Sequence, residues 1–176
     1  MKLWFVLAAM LLSGCAVPQP GPETPRVVEE VDLGRYLGTW HEAARFPQSF
    51  QDSATLRCEE TTATYAARAD GRIDVLNSCV NGLAEGRPRR EARGIAYPVE
   101  GSNNARLRVS FFRPFYGDYW IIGLDPGYRW AVVGAPKRDY LWILSRAPRM
   151  AEEDYAAAVG IARRKGFDIG RLQRAR

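Results

Sequence analysis

Between residues 39 and 145 the chain is a succession of short segments rich in β-branched and aromatic residues, each ended by a turn signal, and none of the intervening stretches keeps a helical period. That spacing constrains the fold more than any other feature. The first strand is predicted over residues 39–45, opened by Gly38-Thr39-Trp40, and residues 46–54 with Pro47 read as a long loop. A threonine-rich strand over 56–66 and its return over 72–80 flank Ala69-Asp70-Gly71-Arg72, a hairpin signal. Residues 81–90 form a polar turn, and strands over 91–98 and 105–113 flank Gly101-Ser102-Asn103-Asn104. The aromatic stretch 111–117 is interrupted by Pro114. Strands over 119–124, 130–134 and 140–145 follow, separated by Asp125-Pro126-Gly127 and Pro136-Lys137-Arg138-Asp139. About eight sequential strands without a crossover helix predict an all-β fold, an eight-stranded antiparallel up-and-down barrel.

The flanks break the pattern. Residues 31–37 read as a short helical turn closing the base of the barrel. After Pro148, Tyr155, Ala158, Val159 and Ala162 share one helical face. Glu152, Glu153 and Asp154 precede them, and Arg163, Arg164 and Lys165 follow, the charge order that a helix dipole favours. One C-terminal α-helix over 151–165 is therefore expected outside the barrel, stopped by Gly166, with Phe167 packing back.

The first residues are delivery apparatus. Residues 1–14 carry Lys2 and the apolar run 3–12, which is shorter than the roughly 20 residues of a spanning helix, and so read as a signal peptide. Leu12-Ser13-Gly14-Cys15 matches the bacterial lipobox, which makes Cys15 the acylated first residue of the mature protein. Its acyl chains would anchor the protein to a membrane. Ala16 follows, not an aspartate, and the resemblance to other bacterial lipoproteins then implies the outer membrane, with the anchored protein expected on the periplasmic side. Residues 15–25 form the acylated cysteine and a proline-rich spacer, roughly 28 Å long at about 3.1 Å per residue. The domain occupies 26–176. A formal charge of +5 rests on 22 arginines against three lysines, but the arginines are scattered and no nucleic-acid motif accompanies them, so no nucleic-acid partner is expected.

Cys58 and Cys79 flank the first hairpin, and an even pair in an exported chain predicts a disulfide. With the turn at 67–70, Ala66 faces Gly71 and the same count places Cys58 opposite Cys79. A metal site lacks partners, since His41 is the only histidine, and no cofactor is expected.

Three stretches together resemble the lipocalins, and most closely their bacterial outer-membrane lipoproteins. They are Arg35-Tyr36-Leu37-Gly38-Thr39-Trp40, residues 109–117, and residues 138–146. The resemblance implies that Gly38 and Trp40 belong to the closed end of a ligand-holding barrel and that Arg146 packs across Trp40. It also implies fatty acids or lysophospholipids as ligands and a role in their storage or transport for envelope maintenance. His41, Ala43 and Arg113 depart from the family pattern, and Leu124-Asp125 with Tyr128 is a loose version of its middle signature.

An eight-stranded barrel holds one small ligand if its inward side chains do not fill it. Tyr140 and Trp142 share a strand face, one of Phe111 and Phe112 points inward, and Trp120 and Trp130 add aromatic surface. Arg113 and Tyr116 are candidates to meet a charged head group. The hydrophobic ligand would be held by burial alone, so no enzymatic activity is expected, and nothing resembles a Ser–His–Asp arrangement although His41, Glu42 and Ser110 supply residue types. Two alternatives stand beside this reading, a filled barrel serving as a structural or interaction lipoprotein and a carrier of another hydrophobic ligand such as a pigment, and a homodimer is compatible with each of them and with the lipid carrier.

Overall fold

The computed structural model describes residues 24–175. The expected signal peptide, Cys15 and most of the expected spacer lie outside the described residues. A short helix, α1 (Leu33–Tyr36), is capped by Asp32, whose side chain accepts from the Arg35 N–H. The strands follow: β1 (Gly38–Arg45), β2 (Cys58–Ala67), β3 (Ile73–Asn81), β4 (Arg89–Pro98), β5 (Arg106–Phe112), β6 (Phe115–Leu124), β7 (Trp130–Gly134) and β8 (Leu141–Ser145). Each pairs antiparallel with the next, and β1 pairs with both β2 and β8, so the barrel closes. Helix α2 (Glu152–Arg164) lies outside it, and Gly166, at φ +80°, lets Phe167 turn back into the core.

Strand alternation explains two separate cores. One face of each strand lines the interior, where Trp40, Tyr65, Val75, Ala96, Leu107, Ile121, Val133 and Leu144 meet. The other face of β6, β7 and β8 meets α2 through Ile122, Trp130, Val132, Leu141 and Ile143 against Ala158, Ala162 and Phe167. Strand β7 is accordingly buried along its whole length: Ala131 and Val133 belong to the interior core, Trp130 and Val132 to the helix side. Both cores are drawn from residues 27 to 172.

Three readings are corrected. Cys58 does not face Cys79; it faces Asn81, because the hairpin turns later, with Ala66 opposite Asp74, and a bulge between Glu59 and Thr62 shifts the register, Glu60 having φ +51°. The disulfide forms nonetheless, diagonally across the pair, with the Cα atoms 5.3 Å apart. The strand expected over 119–124 begins earlier, at Phe115, so that the aromatic stretch 111–117 is the tip of the β5–β6 hairpin, with Phe112 opposite Phe115. A ninth strand, β9 (Gln173–Arg174), pairs with Ala44 and Arg45 of β1. It finds room there because β1 pairs with β2 only from Gly38 to His41.

Candidate functional site

The barrel has a closed end and an open end, set by which hairpins lie where. Residues 27–37 cross the β4–β5 and β6–β7 turns: Val31 donates to the Asn103 carbonyl, Arg35 to the Pro126 carbonyl, and Val28 to the Ile121 carbonyl. Arg35 also lies over the Tyr128 ring, whose hydroxyl accepts from the Asp32 N–H, and Asp125 accepts from the backbone of Gly127 and Arg129. The loose middle signature therefore belongs to the closed end. At its centre the Trp40 indole N–H donates to the Tyr36 carbonyl, 2.8 Å away, and the Arg146 guanidinium carbon lies 3.7 Å from the Trp40 ring centroid. Arg146 donates to the carbonyls of Arg35, Tyr36, Leu37 and Thr39. Gly38, at φ +90°, makes the bend that brings these carbonyls together.

The opposite end is open. A cavity of about 840 Å³ runs inward from the loop 46–57, the β5–β6 tip and the β7–β8 turn. The interior is not filled. Its deeper walls are mainly apolar, with Ala63, Val75, Ala96, Leu107, Val109 and Leu144, and Asn77 stands opposite Ala63. Near the mouth Phe50, Tyr140 and Trp142 stack in series, with ring centroids 6.4 and 5.6 Å apart. Arg90, Glu91, Lys137 and Asp139 add charge to the lining. Of the six exposed large hydrophobic residues among the described ones, Phe50, Leu83, Phe111, Phe112 and Phe115 belong to the strand ends and loops of this end.

The ligand candidates divide. Phe111, Tyr116, Tyr140 and Trp142 line the cavity. Phe112 and Arg113 do not: both are exposed on the hairpin tip, because alternation turns Phe112 away when Phe111 faces in, and Arg113 occupies the turn itself. Trp120 and Trp130 are also corrected. They face the helix side, and the Trp130 indole donates to Asp154 of α2. His41 pairs with Thr62 and Ser145 on β1, whereas Ser110 sits on β5, halfway round the barrel, so these residue types are not brought together.

One cluster was missed. Glu42 is 7% exposed and lines the cavity. Its carboxylate accepts from Arg45 and from the Gln51 amide, and Gln51 accepts from the Trp142 indole N–H at 3.1 Å. Arg45 also donates to both oxygens of Asp52 and to the Cys58 carbonyl. Burial pushes the Glu42 carboxyl up from its ordinary value, against the opposing pull of Arg45. Burial lowers Arg45, but its bonds to Asp52 and Glu42 outweigh that and hold it above its ordinary value. The signal for this cluster was present: Glu42 lies two residues from Trp40 on the same strand face, and an inward acid requires a partner. The partners come from a loop whose path the sequence does not specify.

A second polar group lies on the floor. The hydroxyls of Tyr36 and Tyr119 are 2.8 Å apart, and those of Tyr65 and Tyr119 are 3.0 Å apart. Burial raises the pKa of all three, that of Tyr65 to about 12, so they remain protonated at neutral pH.

The lipocalin-like domain family matches residues 31–176. The outer membrane lipoprotein Blc of Citrobacter freundii is 44% identical over 171 residues, covering 95% of this chain and 90% of that protein. The protein of the same name from Escherichia coli (strain K12) is 43% identical, covering 94% and 89%. Temperature-induced lipocalin-1 of Arabidopsis thaliana is 38% identical, covering 84% and 80%. Among solved structures, lobster apocrustacyanin A1 superposes with a TM-score of 0.62 at 14% identity, covering 89% of this chain and 91% of that one, which supports the fold alone. A closed antiparallel barrel with an open calyx, a helix on its outside and these relatives place the chain in the lipocalin family, among its outer-membrane lipoproteins.

Proposed function

We propose that this lipoprotein is a non-enzymatic carrier that takes one fatty acid or lysophospholipid into its calyx, tethered through Cys15 to the periplasmic side of the outer membrane. The observation that carries the reading is the open cavity of about 840 Å³ with mainly apolar deep walls. Each methylene that leaves water for such a wall stabilises the complex by about 0.8 kcal/mol, before the cost of association. The charged residues in the lining suit an amphiphile whose head stays near solvent. Phe111, Tyr116, Tyr140 and Trp142 are the side chains from the sequence reading that would touch it. Native mass spectrometry of the chain from Ala16 onward, followed by organic extraction, tests this. A co-purified or added fatty acid or lysophospholipid at about one per barrel is expected. A protein that stays empty when offered both would reject the carrier reading, and a coloured extract would redirect it to a pigment.

A further inference from the structure

The tyrosine chain on the floor has a proton to spare. Three hydroxyls carry three protons, and the chain has two O···O contacts, Tyr36–Tyr119 and Tyr119–Tyr65. Whichever way the two bonds run, one O–H has no acceptor in the chain. Among the described residues, no other group within hydrogen-bond distance supplies one. The surrounding side chains of Val75, Ala96, Leu107, Ile121 and Leu144 are apolar. The Tyr36 carbonyl already accepts from Trp40 and Arg146. Of the three possible bond arrangements, two leave the spare proton on Tyr65 or Tyr119, and both of these line the cavity. A ligand tail that fills the floor without offering an acceptor would leave that donor unpaired, at a cost of about 1–3 kcal/mol, and a tail that brings an oxygen there avoids it.

Building on the carrier reading above, we propose that Tyr65 and Tyr119, backed by Tyr36, form a polar subsite at the closed end of the calyx that receives an uncharged oxygen, a hydroxyl or carbonyl, on the buried end of the ligand. The acceptor must be uncharged because, among the described residues, no free cation faces the floor: the Arg146 guanidinium is engaged by Trp40 and four backbone carbonyls. A carboxylate there would be a buried charge without a counterion. Charged groups belong at the other end, where Arg90 and Lys137 line the cavity. The ligand class is thus a long-chain amphiphile oxygenated at its tail as well as at its head.

The test compares hexadecanoic acid with 16-hydroxyhexadecanoic acid by titration calorimetry, on the chain from Ala16 onward, which contains both cores entire. A purely apolar floor would bind the hydroxy acid about 10- to 100-fold more weakly, from the loss of the hydroxyl's hydration. Here the hydroxy acid is expected to bind at least as tightly as the plain acid. The double variant Tyr65→Phe/Tyr119→Phe removes both cavity-lining hydroxyls and should move the ratio of the two affinities at least about 10-fold toward the plain acid. A hydroxy acid bound 10-fold more weakly by the natural chain overturns the subsite whether or not the variant folds. A ratio unchanged in a folded variant does the same, and both results leave the carrier reading intact. If neither acid binds, the carrier reading fails and the subsite falls with it.

Discussion

At the residue scale, Arg146 does more than cover an indole. Its guanidinium joins the end of the last barrel strand to α1 and the start of β1 through four carbonyls, and so ties the two ends of the barrel domain together. The ring contact contributes about 0.5–2 kcal/mol, and the charged hydrogen bonds add to it. Arg146→Ala should therefore lower unfolding free energy by about 2–4 kcal/mol in urea denaturation. Arg146→Lys should recover less than half of that, because one ammonium cannot reach the spread of acceptors that a planar fork reaches. A loss under about 1 kcal/mol for the alanine variant would show the contact to be incidental. The pairing with Trp40 came from the family resemblance, whereas the four carbonyls became visible only in three dimensions. Arg113 shows the opposite case. It lies in a stretch that matches the family well, yet the turn geometry leaves it outside the cavity.

At the scale of elements, the attachment of α2 rests on two glycines of the barrel. A Cβ on Gly134 would lie 2.5 Å from Phe167 Cζ, and one on Gly123 would lie 3.0 Å from Ile161 Cγ2. Phe167 is buried beside Phe46 and cannot swing away. Gly134→Ala should therefore push the segment after α2 off the sheet and cost about 1–3 kcal/mol. Gly117→Ala is the control: its nearest neighbour would be the Val109 carbonyl at 3.9 Å, and little change is expected. Thermal unfolding of the two variants side by side decides the matter, and equal behaviour would reject the close-approach argument. The helix itself was legible from its apolar face and its charge order, and its observed bounds, Glu152–Arg164, lie within the expected range. Strand β9 was not legible. A two-residue strand has no period, and it exists only because β1 leaves an edge free beyond His41. A loop was expected over residues 46–54 and runs to 57, but its anchoring through Gln51 and Asp52 to Glu42 and Arg45 depends on contacts between segments that no local pattern encodes.

At the scale of the whole molecule, the closed barrel buries its tyrosine floor and thereby makes stability depend on alkaline pH. Tyr65 ionises near 10 in the unfolded chain and at about 12 in the folded one, because burial disfavours the phenolate. The unfolded state therefore releases its proton first as pH rises. The stability tied to this proton is fully present below pH 10 and is lost between about 10 and 12; Tyr36 and Tyr119, both raised by burial, act in the same direction. For Tyr65 alone the loss is about 2–3 kcal/mol. Alkaline titration followed by circular dichroism, with phenolate absorbance in parallel, should show ionisation of these residues coinciding with unfolding, and Tyr65→Phe should flatten the dependence. Ionisation of all tyrosines near pH 10 without loss of structure would contradict it. The sequence by itself determined the eight barrel strands, the single outer helix, the cysteine pair and the family, because alternation, turn residues and charge order are local and each repeats along the chain. Only the tertiary structure decided which aromatics line the cavity and which face the helix, since a bulge or a late turn reverses alternation without leaving a mark in composition. It alone decided that the barrel is hollow, because a cavity is what side chains from eight strands jointly fail to fill, and no single strand carries that information.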